Sequence, residues 1–140
     1  NELMHHIVAK YEHIIIGHGE GNKNLVTVQN IYTQLMEMGA DRSTLLVGIG
    51  GGIVTDITGF VATTYMRGMD FGFVATTLLA QVDASVGGKN GVNILSYKNM
   101  VGTFAQPSFV ISDVDFLGTL PLREPANNCA QQNSRWHRYR

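Results

Sequence analysis

The sequence predicts an α/β fold in which strands and helices alternate and the strands form a parallel, doubly wound sheet. Two observations indicate this fold. Short apolar runs of the kind buried in parallel sheets end in glycines, and segments with apolar residues at every third or fourth position follow them. Ligands bind such sheets at the carboxyl ends of the strands, so functional residues are expected in the loops there.

The first predicted unit is a strand, a glycine-rich loop and a helix. The apolar run Ile14-Ile15-Ile16 predicts a short buried strand, and the glycines from Gly17 onward end it. From Asn24 to Met38 the apolar residues recur at spacings of three and four, which predicts an amphipathic helix. Gly39 stands where a helix C-terminus favours a residue in the left-handed conformation.

The second predicted unit repeats this order with a shorter turn. A continuous apolar strand is predicted from Leu45 to Ile49, and it runs directly into the glycines 50–52. Helical spacing then predicts a helix from Ile53 to Tyr65. Two further strands are predicted, from Phe71 to Val74 and from Phe109 to Ser112.

Composition excludes several classes of function. The 140 residues carry 10 Lys+Arg and 11 Asp+Glu, so a net charge of -1 argues against nucleic acid or an anionic membrane as a partner. No apolar run approaches the ~20 residues that cross a bilayer, and no signal peptide is recognisable. The single cysteine, Cys129, and six methionines suit a reducing compartment, so a cytoplasmic location is expected.

Residues 125–140 differ from everything before them. They are polar and aperiodic and end in a basic, aromatic run from Arg135 to Arg140. We therefore predict one α/β domain over residues 1–124 and a disordered tail over 125–140. The chain begins with Asn1, so either residues were removed or the sequence is incomplete.

The triple glycine Gly50-Gly51-Gly52 is the first candidate binding site. Backbone N–H groups and the positive end of the helix dipole converge there and suit a phosphate, which a side chain would hold away from the backbone. The usual dinucleotide fingerprint is not met, because Ile53 stands where its third glycine should be. A tight turn without a ligand explains the glycines equally well.

The segment after the third strand carries further polar candidates. Thr76 and Thr77 can cap the following helix, or their hydroxyls can bind a ribose or an amide. Asp83 lies in an otherwise apolar segment and needs a cationic or hydrogen-bonding partner, for which Lys89 is a candidate. A solvated salt bridge would explain the pair as well.

Cations on predicted loops indicate an anion site, although each alone is explained as a solvated charge. Arg67, Lys89 and Lys98 all lie next to turn-forming residues. The five histidines show neither a helical HxxxH pair nor a carboxylate at ligand spacing, so no metal site is predicted within this chain.

Together these residues carry a resemblance to a known family. The runs GGGIVTDITGF, TTYMRG, TTLLAQVDASVGGKNGVN, KNM, GTFAQP and TLPLRE lie between Gly50 and Glu124. They resemble the NAD-binding domain of 3-dehydroquinate synthases, and HGEGNKNL extends the likeness back to His18. The resemblance implies a Rossmann-like parallel sheet with flanking helices, which forms the NAD-binding half of the family's fold.

The resemblance also implies an activity. Members convert 3-deoxy-D-arabino-heptulosonate 7-phosphate into 3-dehydroquinate and phosphate in the shikimate pathway. NAD+ acts as a recycled catalyst, and a divalent metal, zinc or cobalt, polarises a substrate oxygen. The implied partner is a small phosphorylated sugar acid, and the complete enzyme is expected to be a homodimer. A related sugar-phosphate cyclase, a polyol dehydrogenase and a non-catalytic NAD-binding module remain alternatives.

The family's site residues carry over by position. The resemblance implies nucleotide contacts by two glycine-containing loops, the threonine pair, two lysines and a late segment: His18, Gly19, Glu20, Gly21, Asn22 and Lys23; Gly50, Gly51, Gly52, Ile53, Val54, Thr55 and Asp56; Thr76, Thr77, Lys89 and Lys98; Phe116, Leu117, Gly118 and Thr119. It implies catalytic, substrate-side roles for Asp83, Lys89, Arg67 and Asn99.

Two departures from the family pattern affect these expectations. Ala75 replaces a proline before the threonine pair, which should be tolerated. Gln131 stands where the first metal-binding glutamate is expected, and the two histidine ligands are absent. We therefore expect a fragment without the helical metal-binding domain, which binds NAD+ weakly and does not turn over.

Overall fold

The computed structural model describes residues 11–84, 87–113 and 115. Two helices and five strands form the framework: α1 (Leu25–Glu37), β1 (Leu46–Gly50), α2 (Gly52–Thr64), β2 (Phe71–Ala75), β3 (Lys89–Ile94), β4 (Tyr97–Phe104) and β5 (Phe109–Ser112). Short turns of 3-10 helix lie at Glu20–Asn22 and Tyr65–Arg67, and a π-helical turn lies at Ala80–Ala84. Neither helix of this part of the chain could span a bilayer.

The main sheet is parallel, in the order β1-β2-β5. Leu46 lies opposite Phe71, and Gly72 lies opposite Phe109. Because all three strands run the same way, their carboxyl ends meet at one edge of the sheet. The predicted strands at 45–49, 71–74 and 109–112 and the Rossmann-like arrangement are confirmed, with bounds that differ by at most one residue.

Helix α1 begins and ends at residues that its sequence marks. The side chain of Asn24 accepts a hydrogen bond of 2.9 Å from the backbone N–H of Thr27, which makes it the N-cap. Gly39 has φ 71°, the left-handed conformation expected after a helix C-terminus. The helix buries Val28, Ile31 and Leu35, the stripe that the three- and four-residue spacing predicts.

Helix α2 lies at the centre of the core. Its buried residues join those of α1 and β2 in one apolar cluster that includes Ile57, Phe60, Val61, Val28, Ile31, Leu35, Phe71 and Phe73. The helix packs closely on β1, since a Cβ on Gly48 would lie only 2.5 Å from Oγ1 of Thr58. This packing places the N-terminus of α2 beside the carboxyl ends of β1 and β2.

The strand predicted at Ile14-Ile15-Ile16 is wrong. The segment is irregular, with Ile14 and Ile16 packed against the core and Ile15 85% exposed. The burial of the three isoleucine side chains alternates, as it would in a strand, but no described strand is hydrogen-bonded to the segment. A sheet strand requires such a neighbour, and apolar spacing alone does not reveal whether one is present.

An antiparallel hairpin, β3–β4, is the main element that the sequence pattern did not predict. Its strands pair from Lys89 opposite Phe104 to Ile94 opposite Tyr97, with a register shift between Val92 and Ile94. The two-residue turn starts at Leu95, whose φ of 54° is unusual outside glycine. Because the turn lacks the usual Asn-Gly signal, the sequence pattern did not indicate a hairpin.

The hairpin covers one face of α2. The hydroxyls of Thr63 and Thr103 lie 2.7 Å apart across this contact. A Cβ on Gly59 would lie 1.9 Å from Oδ1 of Asn90, so the helix and β3 approach as closely as glycine allows. Two polar residues of the hairpin, Asn90 and Thr103, therefore lie directly against α2.

Candidate functional site

The glycine turn between β1 and α2 is open at the helix N-terminus. Gly51 is the N-cap, and no side chain caps the first turn by a hydrogen bond. A Cβ on Gly52 would have no heavy atom within 4 Å, so the first helical residue faces open space. Unsatisfied N–H groups and the helix dipole make this end suitable for a phosphate group.

The threonine pair lies against this turn. The backbone N–H of Thr76 donates a 3.0 Å hydrogen bond to the carbonyl of Gly50. A Cβ on Gly51 would lie 3.0 Å from the methyl group of Thr77. The hydroxyl of Thr77 also accepts a 3.3 Å hydrogen bond from the N–H of Ala80, so the capping role considered from sequence is realised there. Binding by the same hydroxyl remains a proposal.

The loop before α1 forms the second wall of the site. Gly19 has φ 90°, and the amide of Asn22 donates a 2.5 Å hydrogen bond to the carbonyl of His18. The side chains of His18 and Glu20 are exposed, whereas Lys23 is only 5% exposed. In this loop, Lys23 is thus the charged residue that is buried.

The buried ammonium of Lys23 joins three distant segments. Its Nζ donates to Oδ2 of Asp56 on α2 and to Oδ1 of Asn99 on β4, each at 2.5 Å. The side chain of Asp56 is 22% exposed, so the ion pair is largely shielded from water. This contact joins the loop 18–23 to the start of α2, two segments for which the resemblance implied one role.

The carboxyl group of Asp56 has a pKa above its ordinary value. Burial is the main cause, because removal from water disfavours the charged form. Lys23 acts in the opposite direction through its hydrogen bond and its charge, while the negative charges of Asp83 and Glu20 raise the pKa further. The balance of burial and charge around Asp56 therefore favours its protonated form relative to a carboxyl group in water.

A pocket of about 360 Å³ opens between the loop and the hairpin. Oε1 of Glu20 accepts a 2.8 Å hydrogen bond from Nδ2 of Asn93 and lies 3.9 Å from Nζ of Lys98. Six of the eight residues around the pocket have polar side chains, the exceptions being Gly21 and the leucine at the hairpin turn: Glu20, Gly21, Lys23, Asn24, Asn93, Leu95, Ser96 and Lys98. The pocket presents both donors and acceptors to a polar ligand.

The substrate-side candidates are not all brought together. Asn99 contacts Lys23, and Asp83 lies near enough to influence Asp56. Lys89 is exposed at the start of β3. The ion pairs found between described residues include Lys23–Asp56 and Lys98–Glu20, and none of them joins Asp83 to Lys89, the candidate partner considered from sequence.

Arg67 lies away from the glycine turn. It follows the C-terminus of the 13-residue helix α2, about 20 Å from the glycine turn at ~1.5 Å per residue. Its φ of 67° places it in a strained turn beside Met66. Among the described residues, Arg67 and Lys98 therefore lie toward opposite ends of α2, because adjacency to turns does not determine at which end of a helix a residue lies. The candidates Phe116, Leu117, Gly118 and Thr119 lie outside the described residues.

Two features of the site were missed from sequence. The first is the direct pairing of Lys23 with Asp56 and Asn99, which links positions 33 and 76 residues apart. The second is Asn93, which lines the pocket together with Ser96. The available signal was the concentration of polar residues within one short run, namely Asn93, Ser96, Lys98 and Asn99.

The residues fit a phosphate-bearing cofactor but not a metal ion. The open N-terminus of α2 and the space at Gly52 leave room for a diphosphate next to the backbone. In the part of the chain that the structure describes, no group of three His, Cys, Asp or Glu side chains could hold a metal ion.

Comparison with known proteins gives one family. The model of the 3-dehydroquinate synthase N-terminal family matches residues 13–127. The 3-dehydroquinate synthase of Pyrococcus furiosus is 53% identical over 122 residues, 87% of this chain and 36% of the relative. That of Blochmanniella pennsylvanica is 51% identical over 120 residues, which are 86% of this chain and 33% of the relative. The chain thus spans about a third of the length of these relatives.

Solved structures agree with this assignment. The 2-epi-5-epi-valiolone synthase from Streptomyces hygroscopicus subsp. jinggangensis, with NAD+ and Zn2+ bound, is 34% identical with a TM-score of 0.79 over 82% of this chain and 32% of that one. A 2-deoxy-scyllo-inosose synthase complexed with carbaglucose-6-phosphate, NAD+ and Co2+ is 37% identical with a TM-score of 0.73 over 76% and 29%. Glycerol dehydrogenase from Schizosaccharomyces pombe, 20% identical with a TM-score of 0.58 over 79% of this chain and 26% of that one, shares the fold alone.

Proposed function

This chain belongs to the 3-dehydroquinate synthase family, and we propose that the protein to which it contributes converts 3-deoxy-D-arabino-heptulosonate 7-phosphate into 3-dehydroquinate and phosphate. Within that protein, residues 1–124 would form the NAD-binding part. The observation that carries the proposal is the contact between Lys23 of the loop before α1 and Asp56 of α2, beside an open helix N-terminus.

Each element of the site has a definite task in this proposal. When bound, NAD+ would accept the hydride from the substrate's C5 carbon and later return it. The backbone N–H groups from Gly52 onward would hold the diphosphate at the positive end of α2. Thr76 and Thr77 would hold the ribose or amide from the adjacent strand end.

The charged residues of the loop and hairpin would orient the ligands. Lys98 is 71% exposed and free to move toward an anionic group, with Glu20 as its resting partner. Lys23 is held by Asp56 and Asn99, so it would present a fixed positive charge. Asn99 and Asp83 would face the phosphorylated sugar acid, and Lys89 would reach it from the edge of the hairpin.

We propose that a divalent metal takes part and is held by residues outside those described. It would polarise the oxygen of the carbon that is oxidised. Support comes from the Zn2+ and Co2+ in the related cyclase structures. The single cysteine and the near-neutral charge support a cytoplasmic location without nucleic acid or membrane as a partner. A homodimer is proposed from the resemblance.

A related sugar-phosphate cyclase is the second candidate function. It is favoured by the likeness to the valiolone and inosose synthases, at 34% and 37% identity. The curated 3-dehydroquinate synthases are 48–54% identical over a similar part of the chain, which supports the first candidate more strongly. Glycerol dehydrogenases share no more than the fold at this level of identity.

A substrate panel tests the proposal. The full-length protein with NAD+ and zinc is given 3-deoxy-D-arabino-heptulosonate 7-phosphate, glucose 6-phosphate or sedoheptulose 7-phosphate, and phosphate release is measured. We expect release from the first substrate alone and none without NAD+. Release from another substrate instead would favour the second candidate, and absence of NAD+ binding would contradict both. The 140-residue chain is expected to bind NAD+ weakly without turnover.

A further inference from the structure

Asn93 occupies the point at which the hairpin meets the loop before α1. It lies at the register shift between Val92 and Ile94, where the ladder of β3 with β4 is interrupted. Its backbone N–H donates a 2.8 Å hydrogen bond to the carbonyl of Lys23. An isolated parallel bridge between Asn24 and Asn93 continues this contact. The irregularity in one pair of strands thus allows β3 to pair with another segment.

Both the oxygen and the nitrogen of the Asn93 side-chain amide form hydrogen bonds. Its Oδ1 accepts a 2.9 Å hydrogen bond from the backbone N–H of Asn99, and its Nδ2 donates a 2.8 Å bond to Oε1 of Glu20. A backbone N–H can only donate, so the oxygen of the amide must face Asn99. The nitrogen must then face Glu20, which determines the orientation of the amide.

The residues that Asn93 contacts are the charged and polar groups of the site. Glu20 lies 3.9 Å from the exposed cation of Lys98, and Oδ1 of Asn99 accepts a hydrogen bond from the buried cation of Lys23. Asn99 has φ 55°, and the bond from its N–H to Asn93 holds this left-handed conformation. A continuous series of hydrogen bonds therefore runs from Glu20 through Asn93, Asn99 and Lys23 to Asp56.

We propose that Asn93 is the positioning residue of this site. Its one side-chain amide positions the carboxylate of Glu20 on the nucleotide side and the backbone of Asn99 on the substrate side. The two ligands are thereby held in a fixed position relative to each other. The inference rests on the proposed function for the identity of the ligands, but the contacts themselves do not depend on it.

The test compares two variants with the same chemical change in the full-length protein. Asn93→Asp keeps the acceptor toward Asn99 but loses the donor and places a carboxylate against Glu20. Asn30→Asp makes this change at an exposed position of α1 that does not line the pocket. We expect Asn93→Asp to weaken NAD+ binding about tenfold and to lower kcat/KM further, while Asn30→Asp stays within about twofold of the parent.

A second change isolates the contact with Glu20. Glu20→Gln supplies an amide donor, so the hydrogen bond to the aspartate in the double variant is restored with reversed polarity. We expect Asn93→Asp to weaken NAD+ binding by about twofold or less in the Glu20→Gln background. A purely structural effect would be equal in both backgrounds and would overturn the inference.

Other outcomes are equally decisive. If Asn93→Asp does not fold, Asn93→Ala is compared with Asn30→Ala by NAD+ titration under the same criterion. Equal NAD+ affinity and kcat/KM for the variants at positions 93 and 30 would overturn the inference while leaving the proposed function intact. Altered NAD+ affinity in a protein that turns over none of the sugar phosphates would support the inference and contradict the proposed function.

Discussion

The ammonium of Lys23 lies 2.5 Å from Oδ2 of Asp56, in a contact that is largely shielded from water. The two residues are 33 positions apart, on a loop and on the second turn of α2. The same ammonium also donates to Asn99 on the hairpin. One buried cation therefore connects the loop, the central helix and the hairpin that together form the candidate site.

Removing this cation should destabilise the fold. Lys23→Met leaves the carboxylate of Asp56 buried without its partner, and we expect the free energy of unfolding to fall by about 2–3 kcal/mol, since Asp56 keeps some contact with water. Urea denaturation measures this. Lys98→Met, which removes an exposed cation, should change it by about 0.5 kcal/mol or less. Similar values for the two variants would contradict a stabilising role for the pair.

The double variant Lys23→Met/Asp56→Leu separates the two parts of this effect. Because an apolar pair of similar size leaves no unpaired charge, most of the lost stability should return. If the double variant is less stable than Lys23→Met alone, the carboxylate is not the source of the destabilisation.

Stability should depend on pH through Asp56. Its folded-state pKa lies above the ordinary value of 3.8, so the folded state holds the proton more tightly than the unfolded state. The contribution is complete below pH 3.8 and is lost as the pH rises through the folded-state pKa. We therefore expect the parent to lose stability relative to Asp56→Asn as the pH rises from about 4, measured by urea denaturation.

Asp41 supplies a control for which stability should change with pH in the opposite direction. Hydrogen bonds from the hydroxyl and backbone N–H of Ser43 lower the pKa of Asp41 below 3.8. Its contribution is present above pH 3.8 and is lost as the pH falls through the lower folded-state value. Relative to Asp41→Asn, the parent should therefore lose stability in acid. If stability changed with pH in the same direction for both aspartates, the assigned pKa shifts would be contradicted.

Gly52 should be needed for the ligand and not for the fold. A Cβ at this position meets nothing within 4 Å, and alanine is the better helix former by about 0.5–1 kcal/mol. Gly52→Ala should therefore keep or raise the Tm while weakening NAD+ binding about tenfold, because the methyl group occupies the space beside the helix N-terminus. Unchanged NAD+ affinity by calorimetry would place the cofactor elsewhere.

Gly59 should show the reverse behaviour in the same helix. A Cβ there would lie 1.9 Å from Oδ1 of Asn90, so the hairpin must shift or the side chain of Asn90 must lose its bonds to the carbonyls of Gly88 and Ala105. We expect Gly59→Ala to reduce the free energy of unfolding by about 1–3 kcal/mol despite the better helix former. Matched urea titrations of Gly52→Ala and Gly59→Ala measure the contrast, and equal stabilities would be inconsistent with this packing.

Arg67→Gln should not affect cofactor binding. Because Arg67 lies at the far end of α2, we expect NAD+ affinity within about twofold of the parent. Lys98→Gln, at the pocket, should weaken it more. A large effect of Arg67→Gln in the NAD+ titration would mean that Arg67 contacts the site of another chain, or that residues outside those described connect it to the site.

Much of the framework could be predicted because its signals are local. Spacing located α1 and α2, and the continuous apolar runs located β1, β2 and β5. The hairpin β3–β4 escaped prediction because its turn at Leu95 uses a left-handed conformation without glycine or asparagine. Ile14-Ile15-Ile16 was misassigned because side-chain alternation does not show whether a neighbouring strand is present.

The sequence by itself determined the fold class, the glycine turn at the start of α2 and the segments that carry candidate residues. These depend on periodicity, turn chemistry and family resemblance, which are properties of neighbouring positions along the chain. Only the tertiary structure decided that Lys23 pairs with Asp56 and Asn99, that Asn93 connects Glu20 to Asn99, and that Arg67 lies apart. The reason is physical: a buried charge takes whichever opposite charge the packing brings within reach, and packing is set by the whole core.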